Sequence, residues 1–173
     1  MPDYNYIIDL ANKFGLKKIR CSYVAPTCQY QGINKTEYYN NAKPLFLNFV
    51  KDCKKNNIQI NLDCNHIPFC YFSPEEKELM NGTVEGWHNL CNPVIDIIPN
   101  FKATSCFGAY ELIDLNNFNT LEEVENYCLF KKMYPRRLQN NEGKCADCQK
   151  FINLSCQGGC LAFTNNKGGS ANG

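Results

Sequence analysis

Cys145-Ala-Asp-Cys148 is a C-x2-C pair, and Cys156-Gln-Gly-Gly-Cys160 follows it after a gap of seven residues. Thiolates placed this closely let one loop wrap a soft metal, and the two glycines let backbone approach a bulky centre. Four thiolates suit zinc or an iron-sulfur cluster, and the spacing alone favours neither. The whole chain carries 12 cysteines in 173 residues. Such usage fits either a metal or redox protein of a reducing compartment or a secreted disulfide scaffold. The first is favoured. Met1 to Leu10 lacks the basic start and apolar centre of a signal peptide, and the length supports a core without covalent staples.

The remaining cysteines divide by their surroundings. Cys21, Cys53 and Cys128 continue apolar stripes and read as core packing. Cys64 ends the alternation Ile58, Ile60, Leu62 and reads the same way. Cys70, beyond Asn65-His66-Ile67-Pro68-Phe69, lies where a loop leaves a strand end. Cys28 sits in a loop, with its role open. His66 and His88 each lack a second histidine at ligand spacing and read as structural. Lys131, Lys132, Arg136 and Arg137 read as a solvated basic face, usable by an acidic peptide.

The elements that must position these residues begin with an amphipathic helix, Ile7, Leu10, Ala11 and Phe14 on one face, ended by Gly15. Ile19, Cys21 and Tyr23 then alternate as a strand stopped by Pro26. A second helix buries Phe46, Phe49, Val50 and Cys53, with Pro44 expected near its start and Asn56-Asn57 at its end. A strand from Ile58 to Cys64 completes helix, strand, helix, strand, a parallel α/β arrangement. Two parallel strands are too few to persist alone, so residues 1–70 read as the closing units of a larger barrel or open sheet. Ser73-Pro74-Glu75-Glu76 then opens a short helix with a capping box. The stretch from Pro93 to Cys106 predicts a hairpin around Pro99-Asn100, with a third extended run from Tyr110 to Leu115. Thr120 to Glu123 is another capping box, and Leu121, Val124 and Cys128 are expected on the buried side of its helix. Eighteen Lys and Arg against 17 Asp and Glu leave a net charge of +1. That balance argues against a nucleic-acid partner. Apolar runs such as Val94 to Ile98 fall far short of the roughly 20 residues of a membrane helix. The expectation is a soluble, cytoplasmic chain.

Cys91-Asn-Pro-Val-Ile-Asp-Ile-Ile-Pro-Asn-Phe-Lys-Ala-Thr-Ser-Cys106, the helix at Thr120, and Cys145-x2-Cys148-x7-Cys156-Gln-Gly-Gly-Cys160 together resemble the C-terminal SPASM extension of radical S-adenosylmethionine (radical SAM) enzymes. The resemblance covers residues 91–160, and residues 1–70 look like the last strand-helix units of the preceding (β/α) barrel. It implies an α/β portion over 1–70, a small cysteine-rich α+β domain with a β-hairpin and short helices over 71–164, and a disordered tail over 165–173. It implies one or two auxiliary [4Fe-4S] clusters, with zinc as the alternative from the cysteines themselves. Cys91, Cys106 and Cys160, with Cys70 as the fourth candidate, would ligate the first cluster, and Cys145, Cys148 and Cys156 the second. The clusters would relay electrons or bind a peptide or protein substrate.

Where the family usually has glycine five residues before the cysteine matching Cys106, this chain has Phe101, so the turn is expected around Asn100. Seven residues separate Cys148 from Cys156 where five is common, and no cysteine follows Cys160. The C-x3-C-x2-C triplet of the family's catalytic cluster is absent. S-adenosylmethionine is therefore expected only in a complete parent enzyme, and this chain alone should be inactive. Its partners would be the remainder of the barrel, a peptide or protein substrate, or a second copy paired through an exposed sheet edge.

Overall fold

The computed structural model describes residues 4–22, 34–62, 67–87, 90–91, 94–106, 112–139 and 145–166, the side chains of 164–166 excepted. The chain divides into two compact units, Met1–Tyr23 with Lys35–His88, and Val24–Asn34 with Asn89–Gly173. Tyr23, Pro26, Cys28, Cys64, His66, His88, Tyr110 and residues 167–173 lie outside the described residues.

The first unit is built on the expected alternation. Helix α1 (Asn5–Lys13) leads to β1 (Lys18–Cys21), α2 (Lys35–Lys55) to β2 (Gln59–Leu62), and α3 (Pro74–Met80) to β3 (Val84–Glu85). The strands form one parallel sheet in the order β1-β2-β3, with Ile19 opposite Ile60 and Ile60 opposite Val84. Among the described residues three strands make a small open sheet, without barrel closure. The unit continues past residue 70 because β3 adds the third strand and α3 packs on α2. Helix α2 packs on β2, and Ile58, Ile60, Leu62, Val50, Cys53, Tyr39 and Ile67 are all buried.

Three local expectations change on contact with tertiary packing. In α1 the buried residues are Ile8 and Ala11, whereas Leu10 is 46% and Phe14 67% exposed. The helix is rolled by about one residue from the expected stripe, since a 3.6-residue period fits two adjacent stripes here. Helix α2 starts at Lys35, so Pro44 stands inside it rather than near its start. Pro44 and Asn40, whose carbonyl loses its helical donor, are both exposed, which lets water replace the missing bond. Gly15 does terminate α1, at φ 65°, and Asn57 closes α2 at φ 55°.

Helix α3 begins as its pattern requires. The Ser73 hydroxyl accepts from the Glu76 N–H at 3.2 Å, and the Ser73 N–H donates to Glu76 Oε2 at 2.7 Å. These bonds satisfy two donors that a helix start otherwise leaves unpaired, worth about 1 kcal/mol. Beside α3, Trp87 is held edge-on by Phe69 and Phe72, with ring centroids 5.4 and 5.3 Å away.

The second unit is antiparallel. Strands β4 (Asp96–Ile98), β5 (Lys102–Thr104) and β6 (Ile113–Asp114) form a sheet in that order, with Ile98 opposite Lys102 and Ala103 opposite Ile113. The hairpin turns where expected, but Phe101 shares the work with Asn100, the two lying at φ 54° and 69°. Thr120 caps α4 (Leu121–Asn126), accepting from the Glu123 N–H at 3.2 Å. Val124 and Cys128 are buried with Ile113, against Ile95, Leu115, Phe118 and Tyr127. Leu121 is 62% exposed instead, because the first turn of α4 projects beyond that cluster.

From Tyr127 to Met133 the helix widens into π turns before resuming as α5 (Tyr134–Gln139). Pro135 supplies a cause, since it has no N–H to give and its ring crowds the carbonyl four residues back. A one-turn helix, α6 (Gln149–Ile152), and a 3-10 turn over Leu161–Asn166 complete the described chain. No helix among the described residues is long and apolar enough to cross a membrane.

Candidate metal centre

The cysteines of the second unit are placed by three short constructions. In the first, the Cys148 N–H donates to the Cys145 carbonyl at 3.2 Å, closing the C-x2-C pair into a tight turn. The carbonyl of Cys148 then accepts from Phe151 and Ile152, each at 2.9 Å, which starts α6 directly after the thiol. Both thiols are half-buried.

The second construction joins segments 66 residues apart. The Gln157 side chain is 3% exposed and grips Cys91 at two points. Its Oε1 accepts from the Cys91 N–H at 2.6 Å, and its Nε2 donates to Cys91 Sγ at 2.8 Å. The same Nε2 also donates to the Gly159 carbonyl at 3.0 Å. One amide thereby fixes Cys91 beside the turn that leads from Cys156 to Cys160. That turn needs its glycines, since Gly158 and Gly159 lie at φ 76° and 104°, where side chains are strained. The Gly158 N–H reaches back to Cys156 Sγ at 3.4 Å. Cys160 closes the turn at 2% exposure.

The third construction is Arg137, which is 7% exposed. Its Nε donates to the Cys156 carbonyl at 3.2 Å, a terminal nitrogen donates to the Phe151 carbonyl, and the guanidinium lies 4.3 Å above the Phe151 ring. Arg137 departs from the solvated basic face expected for Lys131, Lys132, Arg136 and Arg137, of which Lys131 is exposed. The guanidinium ties α5 to the loop between α6 and Cys156.

The other candidates stand apart in kind. Cys106 is exposed, and its N–H donates to the Thr104 hydroxyl, which donates in turn to the Cys106 carbonyl, both at 3.4 Å. Cys70 is exposed in the 3-10 turn Phe69–Tyr71 of the first unit. Among the described residues, no three His, Cys, Asp or Glu side chains gather tightly enough to hold a single metal ion.

The donors are all cysteine sulfur, the type an iron-sulfur cluster takes, but the described residues do not gather them into one site. Cys91 and Cys156 present sulfurs that already accept N–H donors, and hydrogen bonds to ligand sulfur are a means by which proteins tune such clusters. Cys53 and Cys21 show the opposite environment. Burial pushes the Cys53 thiol up to about 12, with Cys21 and Asp52 adding to the effect, and burial raises Cys21 as well. They are packing thiols held neutral, as their apolar stripes predict.

Gln157 and Arg137 were not legible as site residues. The signal for Gln157 is its place in Cys156-Gln-Gly-Gly-Cys160, where a long polar side chain precedes two glycines in a buried turn. Nothing local marks Arg137. The chain matches no protein-family model, and comparison with curated proteins and with solved structures returned no match.

Proposed function

We propose that the second unit is an auxiliary iron-sulfur domain of the SPASM type, and that the chain is the C-terminal part of a radical SAM enzyme acting on a peptide or protein. The observation that carries this reading is the Gln157 clamp, which places Cys91 against the Cys156–Cys160 turn and puts an N–H on its sulfur at 2.8 Å. Cys91, Cys106 and Cys160 are ligands proposed for one cluster, and Cys145, Cys148 and Cys156 for another. When bound, such a centre supplies a one-electron store or an open iron for substrate. The chain's own residues position the thiols. Gln157 orients Cys91, Gly158 and Gly159 let the backbone turn closely, and the C-x2-C turn sets Cys145 and Cys148 side by side.

Anaerobic reconstitution with iron and sulfide tests this. A brown protein with iron and sulfide in equal amounts is expected, and a colourless protein holding one zinc ion on Cys145, Cys148, Cys156 and Cys160 would replace this reading with a zinc-binding interaction module. The loaded chain, given S-adenosylmethionine and a strong reductant, should release no 5'-deoxyadenosine above background, because the C-x3-C-x2-C triplet is absent.

The first unit is proposed to meet its partner at β1, the end strand of the parallel sheet among the described residues. An edge strand presents unpaired backbone groups to another chain. Either the remainder of a barrel or a second copy would pair there, and light scattering of the purified chain at high concentration is expected to show association.

A further inference from the structure

One flank of the first unit stays uncovered in both its helix layer and its sheet layer. Tyr6, Leu10 and Phe14 recur at i, i+4 and i+8 along α1 and its C-cap and are 60, 46 and 67% exposed. This stripe turns away from α2. Tyr4 and Asn12 donate to Asp52 at 3.0 Å and Asn56 at 2.9 Å, and at about 100° per residue they lie about 120° and 160° round from Leu10. On α2 and its end, Asp52 and Asn56 meet α1, whereas Lys43 and Lys54 reach Glu76 and the Leu79 carbonyl of α3 from about half a turn away. Helices α1 and α3 therefore flank α2 on opposite sides. Because α3 leads to β3, the stripe on α1 lies toward the β1 end of the sheet. The strand there is half-covered in the same way. Ile19 and Cys21 are half-buried, while Ile60 and Leu62 opposite them are 0% and 3% exposed.

We propose that this flank is a self-complementary docking surface for a second copy of the chain, with β1 pairing antiparallel to its counterpart and α1 packing on α1 about one two-fold axis. This rests on the edge-strand reading above, and the iron-sulfur reading does not enter. A two-fold normal to the sheet reverses the strand direction and keeps both helices on one face. It also brings Leu10 onto its own counterpart and Tyr6 onto Phe14, since positions 6 and 14 are equally spaced about position 10. Area shows that both layers are needed. At roughly 200 Å² for a whole large side chain, the exposed parts of these three give on the order of 350 Å² per copy, or about 700 Å² for the pair. A stable interface takes about 1,000 Å², so the strand edge must supply the rest. Lysine on an edge strand commonly deters such pairing. Here Lys18 is bonded to Glu85 of its own chain at 2.6 Å, which already matches its charge.

The test is sedimentation equilibrium of the full chain, wild type against Leu10→Glu, Phe14→Glu and Phe130→Glu, with hydrogen exchange read at β1 and circular dichroism as the check on folding. Wild type should form a dimer whose β1 amides exchange more slowly as concentration rises. Leu10→Glu places two like charges at the axis and should weaken the dimer by at least about a hundredfold, with helix content unchanged. Phe14→Glu, at the rim, should weaken it less. Phe130 is 65% exposed in the second unit, so Phe130→Glu should leave the dimer intact. Association that survives both α1 substitutions, or that is lost equally in Phe130→Glu, would mean that copies meet elsewhere and overturn the proposal. A wild type that stays monomeric overturns it as well, and its β1 amides then separate the two readings. Fast exchange there leaves the strand open to another chain, whereas slow exchange in the monomer shows a covered edge and ends the edge-strand reading too.

Discussion

The two units use the same amino acid in opposite ways. In the first, Cys53 is fully buried, as are Val50 and Ile60, and its thiol behaves as a small apolar group. In the second, the sulfurs of Cys91 and Cys156 accept hydrogen bonds from an amide side chain and a backbone N–H. The first environment penalises a thiolate, whereas the second offers N–H donors to sulfur. The contrast extends to the cores. The first unit buries an apolar layer between parallel strands and helices, whereas the second has a small cluster around Ile113, Val124 and Cys128 and a separate polar knot around Gln157 and Arg137. Cysteine content alone therefore says little, and the neighbours of each sulfur decide its use.

The contrast can be broken most directly by removing metal. On the proposed iron-sulfur reading, a chelator added to the reconstituted chain should loosen the second unit by several kcal/mol, because a structural metal's binding and the fold's stability are linked. Hydrogen exchange over 113–128 and 151–163 should rise, while Trp87 fluorescence, which reports the first unit, melts at an unchanged temperature. A matching shift in the Trp87 transition would mean that the units do not differ in this way.

The complementary change is Ile60→Ala, at a side chain with no exposure in the central strand. Deleting those methyl groups should cost the first unit about 2–5 kcal/mol. Iron content should be unaffected, and a proportionate loss of iron would show that the second unit depends on the first unit's core.

Alkaline titration sharpens the comparison further. Burial raises the folded Cys53 thiol to about 12, above its ordinary value of 9.0. Because the folded chain holds the proton more tightly, the thiol's contribution is full below the ordinary value and is lost as pH rises from there toward about 12. Thermal stability of the first unit should fall across that window and fall less in Cys53→Ala. At pH 9 native Cys53 should resist iodoacetamide while Cys148 is alkylated, and equal labelling would falsify the assignment of Cys53 to packing.

The smallest effect is expected at the hairpin. Phe101 is 71% exposed at φ 54°, so it bears left-handed strain and buries little in return. Phe101→Gly should stabilise the second unit by up to about 1 kcal/mol. A loss of stability in thermal melts would show that the ring packs where these contacts do not place it.

Local patterns were the legible part of the fold. Ser73 to Glu76 capped a helix, Pro99-Asn100 turned a hairpin, and Ile58-Ile60-Leu62 marked a buried strand, because each is decided within a few residues. The roll of α1 was not, since choosing between Ile8 and Leu10 requires knowing what packs against the helix. The start of helix α2 is not legible because its first turns, Lys35 to Asn41, hold no apolar residue besides Tyr38 and Tyr39, and Pro44 suggests a start. At the candidate centre the cysteines are visible in the sequence and their supports are not. Gln157 acts on a residue 66 positions upstream, and Arg137 reaches carbonyls 14 and 19 positions ahead. Such partners become adjacent only after folding.

The π turns of residues 127–133 have an evolutionary consequence. A helix widened in this way holds one residue more than regular winding over the same path requires. Losing a single codon from this stretch would let the ladder return to i→i−4 bonding, and everything beyond would rotate by about 100°. Arg137 would swing toward water without being mutated. Relatives that kept the same arginine but differed by that one deletion would differ in the charge beside Cys156, so insertion and deletion can adjust this position as well as substitution.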